Sequence, residues 1–518
     1  MMNKQQLQQL KQHLGADLIN YALNPTDVTH ESDLESLEIT ELQSFALKDM
    51  HQKIQEARVQ YITDGGYGDG ANLLLRMLTH EDDSIFNHYR KICGGQDEIS
   101  LSNDPVIEFL QKICIHKYPD LLLKSTSNHS FSLVTNLNVG MKDYQNFISL
   151  VKNDPLLNSI KNKKDELEYS FELTTEDGLQ FNTQVCMACT TLITRAFYDS
   201  CSRMDYSLNT VLKTIAEHID ILRDLANGMD VHYSSFIGLR GIRFIDFNEV
   251  IFNGAVLRQF GGMENPSPHT QRTVISHSDD YSKYSGHILE VTHTRKLCSH
   301  QANCNTTNSM EASRFQQDIL EKVLFSLIFS SESTRGPSPS FFEIGFPLIN
   351  PGNFGHLDQY PAEYLLLDQT ASDAAKNWFS ILRDKPIGRV KIPLQRLKYA
   401  IFERRNPEDA IVDAITAWEG MFSQAYETTF KVTGSLAKYL SDSANRPEML
   451  KRLKGLYDLR SNLVHGKTSK DSSKEDIESI RSEVVRIGLN CLKKLLQDDR
   501  LLLMSPTERV NDLLVLTE

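Results

Sequence analysis

The chain has 518 residues, 40% of them hydrophobic and 24% charged, with a formal net charge of −13. At roughly 150 residues per domain, that is enough chain for about three domains with substantial cores. The acid excess argues against a surface coated in nucleic acid but is compatible with a local basic site. No run approaches the roughly 20 apolar residues of a membrane span, and the opening stretch MMNKQQLQQLKQHLG is polar and helical, without the apolar centre of a signal peptide. The expectation is a cytoplasmic protein with no membrane partner. Its eight cysteines, scattered over a long chain, fit reduced thiols better than a disulfide framework.

Taken in chain order, residues 1–164 read as a mostly helical N-terminal region. Gln43-Ser-Phe-Ala-Leu-Lys48 and Ala71-Asn-Leu-Leu-Leu-Arg-Met-Leu78 carry helical amphipathicity. Between them, Thr63-Asp-Gly-Gly-Tyr-Gly-Asp-Gly70 is glycine-rich but lacks the Gly-Lys-Ser/Thr ending of a phosphate-binding loop, so a plain loop outweighs a nucleotide site.

Residues 165–370 read as an α+β middle domain. Leu167, Tyr169, Phe171 and Leu173 alternate with polar residues, Glu176-Asp-Gly178 turns the chain, and Leu179, Phe181 and Thr183 resume the alternation. This predicts a hairpin. A helical stretch follows over roughly Val185 to Ala226. Further strands are predicted at Ile242–Phe247, Glu249–Phe252, Ala255–Gln259, His287–Thr294 and Leu324–Phe329, with turn-rich breaks at Gly336–Pro339 and Pro347–Gly355.

Residues 371–518 read as an all-α bundle. Asn406-Pro-Glu-Asp409 is a helix start: Asn caps, Pro fits the first turn, and the acids suit the positive end of the helix dipole. Ile411, Ile415, Trp418, Phe422 and Ala425 share one face. A second helix runs from near Arg446 to His465 and is closed by Gly466. Ser472 and Glu475 form a capping-box pattern, and Ile477, Ile480, Val484, Ile487, Cys491 and Leu495 stripe the last long helix. The fold class is therefore α+β multidomain: a helical N-terminal region, a mixed middle domain and a C-terminal helical bundle.

Two cysteine pairs have zinc-like spacing, Cys186-x-x-Cys189 and Cys298-x-His300-x-x-x-Cys304. Cys186 and Cys189 lie in an apolar run, where cysteine behaves as a small buried hydrophobe, and the pairs are far apart in sequence. The expectation is no metal and no cofactor, with Cys186, Cys189, Cys298 and Cys304 as weak metal candidates only. There is no His-Glu-x-x-His and no Gly-x-Ser-x-Gly, so neither a zincin nor a serine hydrolase is indicated.

The segment that carries chemistry is Leu456-Tyr-Asp-Leu-Arg-Ser-Asn-Leu-Val-His-Gly466. Metal-free cleavage of RNA needs a base for the ribose 2′-hydroxyl, a cation for the charge gathering on phosphate, and an acid for the leaving 5′-oxygen. Histidine, with an ordinary pKa of about 6.5, serves as base or acid. Arginine offers a charged planar fork that matches phosphate oxygens. Arg460 and His465 are the candidate catalytic pair; one helix supplies one histidine, and two copies about a twofold axis would supply both proton-transfer groups. From Arg446 to Lys470 there are seven basic residues (446, 451, 452, 454, 460, 467 and 470) against two acids, Glu448 and Asp458. Lys451, Arg452, Lys454, Lys467 and Lys470 are the candidate RNA contacts.

Pro407-Glu-Asp-Ala-Ile-Val-Asp-Ala-Ile-Thr-Ala-Trp-Glu419 and the Arg460-to-His465 segment resemble the ApeA-like branch of the HEPN superfamily. The resemblance covers about a quarter of the chain. It implies a dimerising helical bundle with an Arg-x4–6-His motif and metal-independent endoribonuclease activity in bacterial anti-phage defence, abortive infection or toxin systems. It also implies that Glu419 holds the arginine or orients the histidine, with Ser461 and Asn462 as supporting residues; many family members carry Asn, Asp or His where this chain has Ser461. On that reading residues 1–370 sense a phage-derived trigger or restrain the nuclease. The alternatives are a non-catalytic HEPN dimerisation or partner-binding scaffold, or a nucleotide-binding sensor built on the Gly65–Gly70 loop.

Overall fold

The computed structural model describes residues 10, 14–23, 40–63, 79–80, 83–95, 99–122, 137, 139–160, 170–175, 180–203, 205–260, 286–297, 309–331, 333–349, 365–422, 428–465 and 474–516. Within these the protein is a mixed α+β chain, mostly helical with a small antiparallel sheet. It divides into two compact units. The first comprises residues 1–239, 258–316 and 339–357, and the second residues 240–257, 317–338 and 358–518.

The first unit contains helices α1 (Ala16–Leu23), α2 (Glu41–Thr63), α3 (Ile85–Ile92), α4 (Pro105–Leu122), α5 (Met141–Asn153), α6 (Pro155–Ser159), α7 (Val185–Ser202) and α8 (Leu208–Ala226). Two-residue strands β1 (Thr79–His80) and β2 (Asp83–Ser84) precede α3. The predicted hairpin is present as β3 (Ser170–Thr174) and β4 (Gln180–Gln184), antiparallel with Phe171 opposite Thr183; Leu167, Tyr169 and the 176–178 turn lie outside the described residues.

The helical stretch after the hairpin is a pair. Almost every residue of α7 is buried, and α8 packs against both α7 and α4. In α8, Val211, Leu212, Ile215, Ile219, Leu222 and Leu225 make one buried stripe at helical spacing. The Ser207 hydroxyl accepts from Thr210 N, and Gly228 ends the helix at φ +72°.

Strand β5 (Val231–Arg240) pairs antiparallel with β9 (Gly286–Arg295), with Phe236 opposite Glu290; β10 (Ser338–Ile344) borders β5 on its other side. Inside this unit His293 is buried at 4% exposure. It stacks on Tyr233 at 5.1 Å and meets the Phe315 ring edge at 5.6 Å.

In the second unit, β6 (Ile242–Phe244) and β11 (Leu365–Leu367) pair in parallel, and α10 (Gln369–Asp384) packs on β7 (Glu249–Phe252) through Phe379 and Phe252. Strand β8 (Ala255–Phe260) follows a turn at Gly254, whose φ is +83°. The rest is helix: α11 (Lys391–Lys398), a π-helical turn over Tyr399–Glu403, α12 (Pro407–Phe422), α13 (Thr428–Leu440), α14 (Arg446–Val464), α15 (Lys474–Gln497), α16 (Asp499–Leu503) and α17 (Pro506–Asn511).

Helix α12 starts as expected, with Asn406 Oδ1 accepting from Glu408 N at 3.0 Å. It packs against α11, α13, α14, α15 and α17. Ile411, Ile415, Trp418 and Phe422 are fully buried, and so are Val484, Cys491 and Leu495 on α15. Gly488 lets α15 approach: a Cβ there would sit 2.9 Å from Leu397 Cδ2 and 3.1 Å from Trp418 Nε1. Ala425 and the Ser472–Glu475 capping pattern fall outside what is described of the side chains.

Four sequence expectations need correction. Leu324–Phe329 is not a strand but part of helix α9 (Ser309–Ser330), where Val323, Leu324, Phe325, Leu327, Ile328 and Phe329 are all buried. A short, almost wholly apolar run has no clear period, so it cannot distinguish a buried strand from a buried helix. The strand predicted at Ile242–Phe247 stops at Phe244, because Asp246 turns the chain at φ +62°. The break at Gly336–Pro339 runs into strand β10, which tolerates Pro339 near its start and at the sheet border. Strand β5 was not anticipated, although Val231, Tyr233 and the Phe236-Ile237 pair carry strand-forming residues.

Burial holds the His293 imidazole neutral, with its pKa lowered from 6.5 to about 4. In the unfolded chain the ring takes a proton near pH 6.5, so the unfolded state binds more protons between those values, and stability is lost as pH falls through that window. The expected loss between pH 7 and pH 4.5 is about 2–3 kcal/mol from this group. His293→Phe keeps the ring contacts, and urea unfolding at the two pH values should show a smaller drop for the variant by that amount. An identical drop would mean that His293 does not control the acid sensitivity.

Candidate functional site

The candidate site is built on α12 and α14, which pack against each other in the second unit. Helix α14 has Pro447 in its first turn, buries Leu453, Leu456 and Tyr457, and ends at Val464 with His465 as its C-cap. The His465 N–H donates to the Ser461 carbonyl at 3.1 Å. The His465 side chain is exposed, and its imidazole has no hydrogen-bond or ionic partner among the described residues. Gly466, Lys467 and Lys470 lie outside the described residues.

Arg460 is half-buried, and its terminal nitrogen NH2 lies 3.6 Å from Glu419 Oε2. This is an ion pair rather than a tight hydrogen bond. The Arg460 Nε is buried and unpaired among the described residues. Glu419 sits near the C-terminal end of α12, and its other oxygen, Oε1, accepts a hydrogen bond from the Tyr457 hydroxyl. Tyr457 and Arg460 are three residues apart on α14 and so share a row on its surface. One carboxylate therefore receives a hydroxyl and a guanidinium from the same helix. Burial, with the Glu419 charge beside it, pushes the Tyr457 hydroxyl well above the ordinary tyrosine range, so it remains a donor at any physiological pH.

Of the residues singled out from sequence, the structure brings together Arg460 and Glu419. Tyr457 was not anticipated, although its position one turn before Arg460 on a buried face was a usable signal. Ser461 is half-buried and Asn462 exposed on the last turn of α14. Lys451 and Lys454 are exposed and solvated. Arg452 is instead bound through both ends of its fork to Glu483 of α15, with Nε to Oε1 at 2.8 Å, so its charge is largely answered within the bundle. That leaves the exposed basic surface of α14 with Lys451 and Lys454 rather than with all three.

The zinc candidates separate. Cys189 is buried in α7, where loss of solvation pushes its thiol up, and Cys186 is half-exposed, with Sγ 3.8 Å from Gln184 Oε1. Cys298, His300 and Cys304 lie outside the described residues, as does the glycine loop over residues 64–70. Among the described residues no three or more His, Cys, Asp and Glu side chains are grouped to hold a metal, and no helix is long and apolar enough to cross a membrane.

Compared with known proteins, the chain matches no family model, no curated protein and no solved structure.

The contact of Tyr457 with Glu419 is a hydrogen bond to a charged acceptor, a class worth about 1.5–3 kcal/mol when buried and less at a half-open site. A double-mutant cycle of Tyr457→Phe and Glu419→Gln, read by chemical denaturation, should give a coupling of about 1–2 kcal/mol. Additive single effects would show that the two side chains do not hold each other.

Proposed function

We propose that the C-terminal bundle is a metal-independent endoribonuclease of the HEPN kind, acting in bacterial anti-phage defence, with Arg460 and His465 as its catalytic pair. The observation that carries this reading is the braced Arg460, with Glu419 and Tyr457 beneath it, on a helix that ends at an exposed His465. The spacing Arg-x4-His and the helix before it are what resemble the family.

The chemistry is a transesterification. The ribose 2′-oxygen forms a bond to the adjacent phosphorus while the bond from phosphorus to the 5′-oxygen breaks. A base accepts the 2′-hydroxyl proton, and an acid delivers a proton to the departing 5′-oxygen. An imidazole suits either role. Arg460 stabilises the charge that grows on the phosphate oxygens, which is where a preorganised cation contributes most. Glu419 and Tyr457 act as positioning residues: they hold the guanidinium stem so that less freedom is lost when phosphate arrives. A single motif has one histidine, and a second copy of the chain packed through the bundle supplies the other. The remaining residues, 1–370, are then the part that senses a phage-derived trigger and keeps the nuclease off.

A partner-binding scaffold is the second reading, favoured by one observation: Arg460 is already engaged with Glu419. The two readings part on variants that should fold. His465 is exposed at a helix end, so His465→Ala removes little packing. It should remove proton transfer, a loss of about 10²–10⁴-fold in rate. Arg460→Lys keeps charge but loses the planar fork, and should also fail. The check is sequencing of RNA 5′ ends in bacteria expressing each variant, with and without phage, together with a cleavage assay in chelator that looks for a 2′,3′-cyclic phosphate. A folded His465→Ala protein that cuts RNA like wild type would remove His465 from the catalytic pair, and a wild type that protects without cutting RNA would leave the scaffold reading standing.

A further inference from the structure

We infer that Arg396 and Arg404, braced by Asp413 beside Tyr399, form a second phosphate-gripping site in the same bundle, one that holds the backbone of single-stranded RNA. The identity of the ligand rests on the ribonuclease reading; the site itself rests on the geometry that follows.

Asp413 lies on α12, and its side chain is only 5% exposed. A carboxylate taken out of water in this way requires charged partners. It has two, one on each oxygen. Arg396 NH1 donates to Oδ1 at 2.8 Å, and Arg404 Nε donates to Oδ2 at 2.6 Å. Both arginines remain more than two-fifths exposed. Each spends one nitrogen on Asp413, and the other guanidinium nitrogens have no hydrogen-bond partner among the described residues. Two cations share one hydrogen-bonded anion, and each keeps unspent donors at the surface.

The arginines are also fixed in orientation. Both guanidinium groups lie over the Tyr399 ring, with centroid distances of 6.0 Å for Arg396 and 5.8 Å for Arg404. The ring itself is held by Gln395, whose Nε2 donates to the Tyr399 hydroxyl at 2.8 Å. Tyr399 opens the π-helical turn, which, by widening the helix for one turn, sets Arg404 back toward α12. Prepaid ordering of two forks is the arrangement that favours phosphate oxygens over a mobile pair of lysines.

The surrounding sequence agrees. Between residues 389 and 405 there are six Lys and Arg residues (389, 391, 396, 398, 404 and 405) and one acid, Glu403, in a chain whose net charge is −13. Lys398 engages Glu403 at 3.5 Å and Glu321 at 2.5 Å. Asp409 and Glu403 are both close enough to Arg404 to share its field, and neither bonds to it. Arg389 and Lys391 are exposed. This is a different place from the Arg460 site: Asp413 and Glu419 are six residues apart on α12, about 9 Å along the axis and about 120° around it.

The test is fluorescence anisotropy with a labelled single-stranded RNA oligonucleotide and the full-length His465→Ala protein, at several salt concentrations. Adding Arg396→Gln and Arg404→Gln should weaken binding at least tenfold in protein shown to be folded at the assay temperature, and should lower the melting temperature because Asp413 loses its charged partners. It should also lower the slope of log affinity against log salt by about 1.4, the value for two lost contacts to a single strand. The paired Arg→Lys variant keeps both charges and should recover part of the affinity. If the double Gln variant melts early, the single variants carry the same comparison. Unchanged affinity in folded variants means the triad is only a staple between α11 and α12, and the inference is wrong. An absence of RNA binding by the starting protein also overturns it. If RNA binds through these arginines but the wild type never cuts it, the ribonuclease reading fails and this site stands.

Discussion

A helix buried on several sides cannot carry an acid without an answer to its charge, and beyond its first turn α12 carries two. Trp418, Ile411, Ile415 and Phe422 commit this helix to the centre of the second unit, with five neighbours packed on it. Asp413 goes with it into low-dielectric surroundings, and Glu419 stays partly open to solvent. Their desolvation cost is met from outside α12: by Arg396 and Arg404 in one case, and by Tyr457 and Arg460 in the other. The apolar stripe of α12 thus dictates where the fixed arginines of the bundle stand. Remove either carboxylate and the guanidinium groups lose the partner that orients them; remove the arginines and a buried charge is left unpaired.

Much of this was legible in the chain. The start of α12 at Asn406-Pro-Glu-Asp409, the face Ile411, Ile415, Trp418 and Phe422, and the end of α14 at His465 follow from capping and helical periodicity, which depend on neighbours a few residues away. The β3–β4 hairpin and strands β7, β8 and β9 were legible for the same reason. The companion of Arg460 was legible only through the resemblance, which pointed to Glu419. The Tyr457–Glu419 and Arg452–Glu483 pairings were not, because a pairing across 38 or 31 residues leaves no local trace. The same limit hid Asp413 between its two arginines.

The strand errors share a cause. Leu324–Phe329 and the Phe236–Leu239 part of β5 are both continuous buried runs, one in a helix and one in a strand. Burial on all sides erases the alternation between inside and outside that separates a period of 2 from one of 3.6. Where one face stays wet, as in β7 with its exposed–buried–exposed–buried pattern, the element is read correctly. Pro339 misled for a related reason: at a sheet border the missing N–H costs no ladder hydrogen bond, so a residue that ends central strands is harmless there.

The electrostatics of the bundle follow from the same pairings. An acidic chain that attracts phosphate must do so with local charge, since long-range steering by a net charge of −13 opposes it. Within a Debye length of about 8 Å at physiological salt, the groups that matter are the nearest ones. Arg452 is bound on both sides by Glu483, and Arg460 is partly offset by Glu419, so the formal excess along α14 overstates what a ligand meets. The Asp413 cluster differs, because one carboxylate is divided between two arginines and each keeps exposed donors, with Asp409 and Glu403 nearby but unbonded. On the proposed reading, a polyanion gains from the braced pair, and it meets Arg460 as a directional contact, where the cost of parting the guanidinium from Glu419 makes geometry, rather than charge alone, decide what binds.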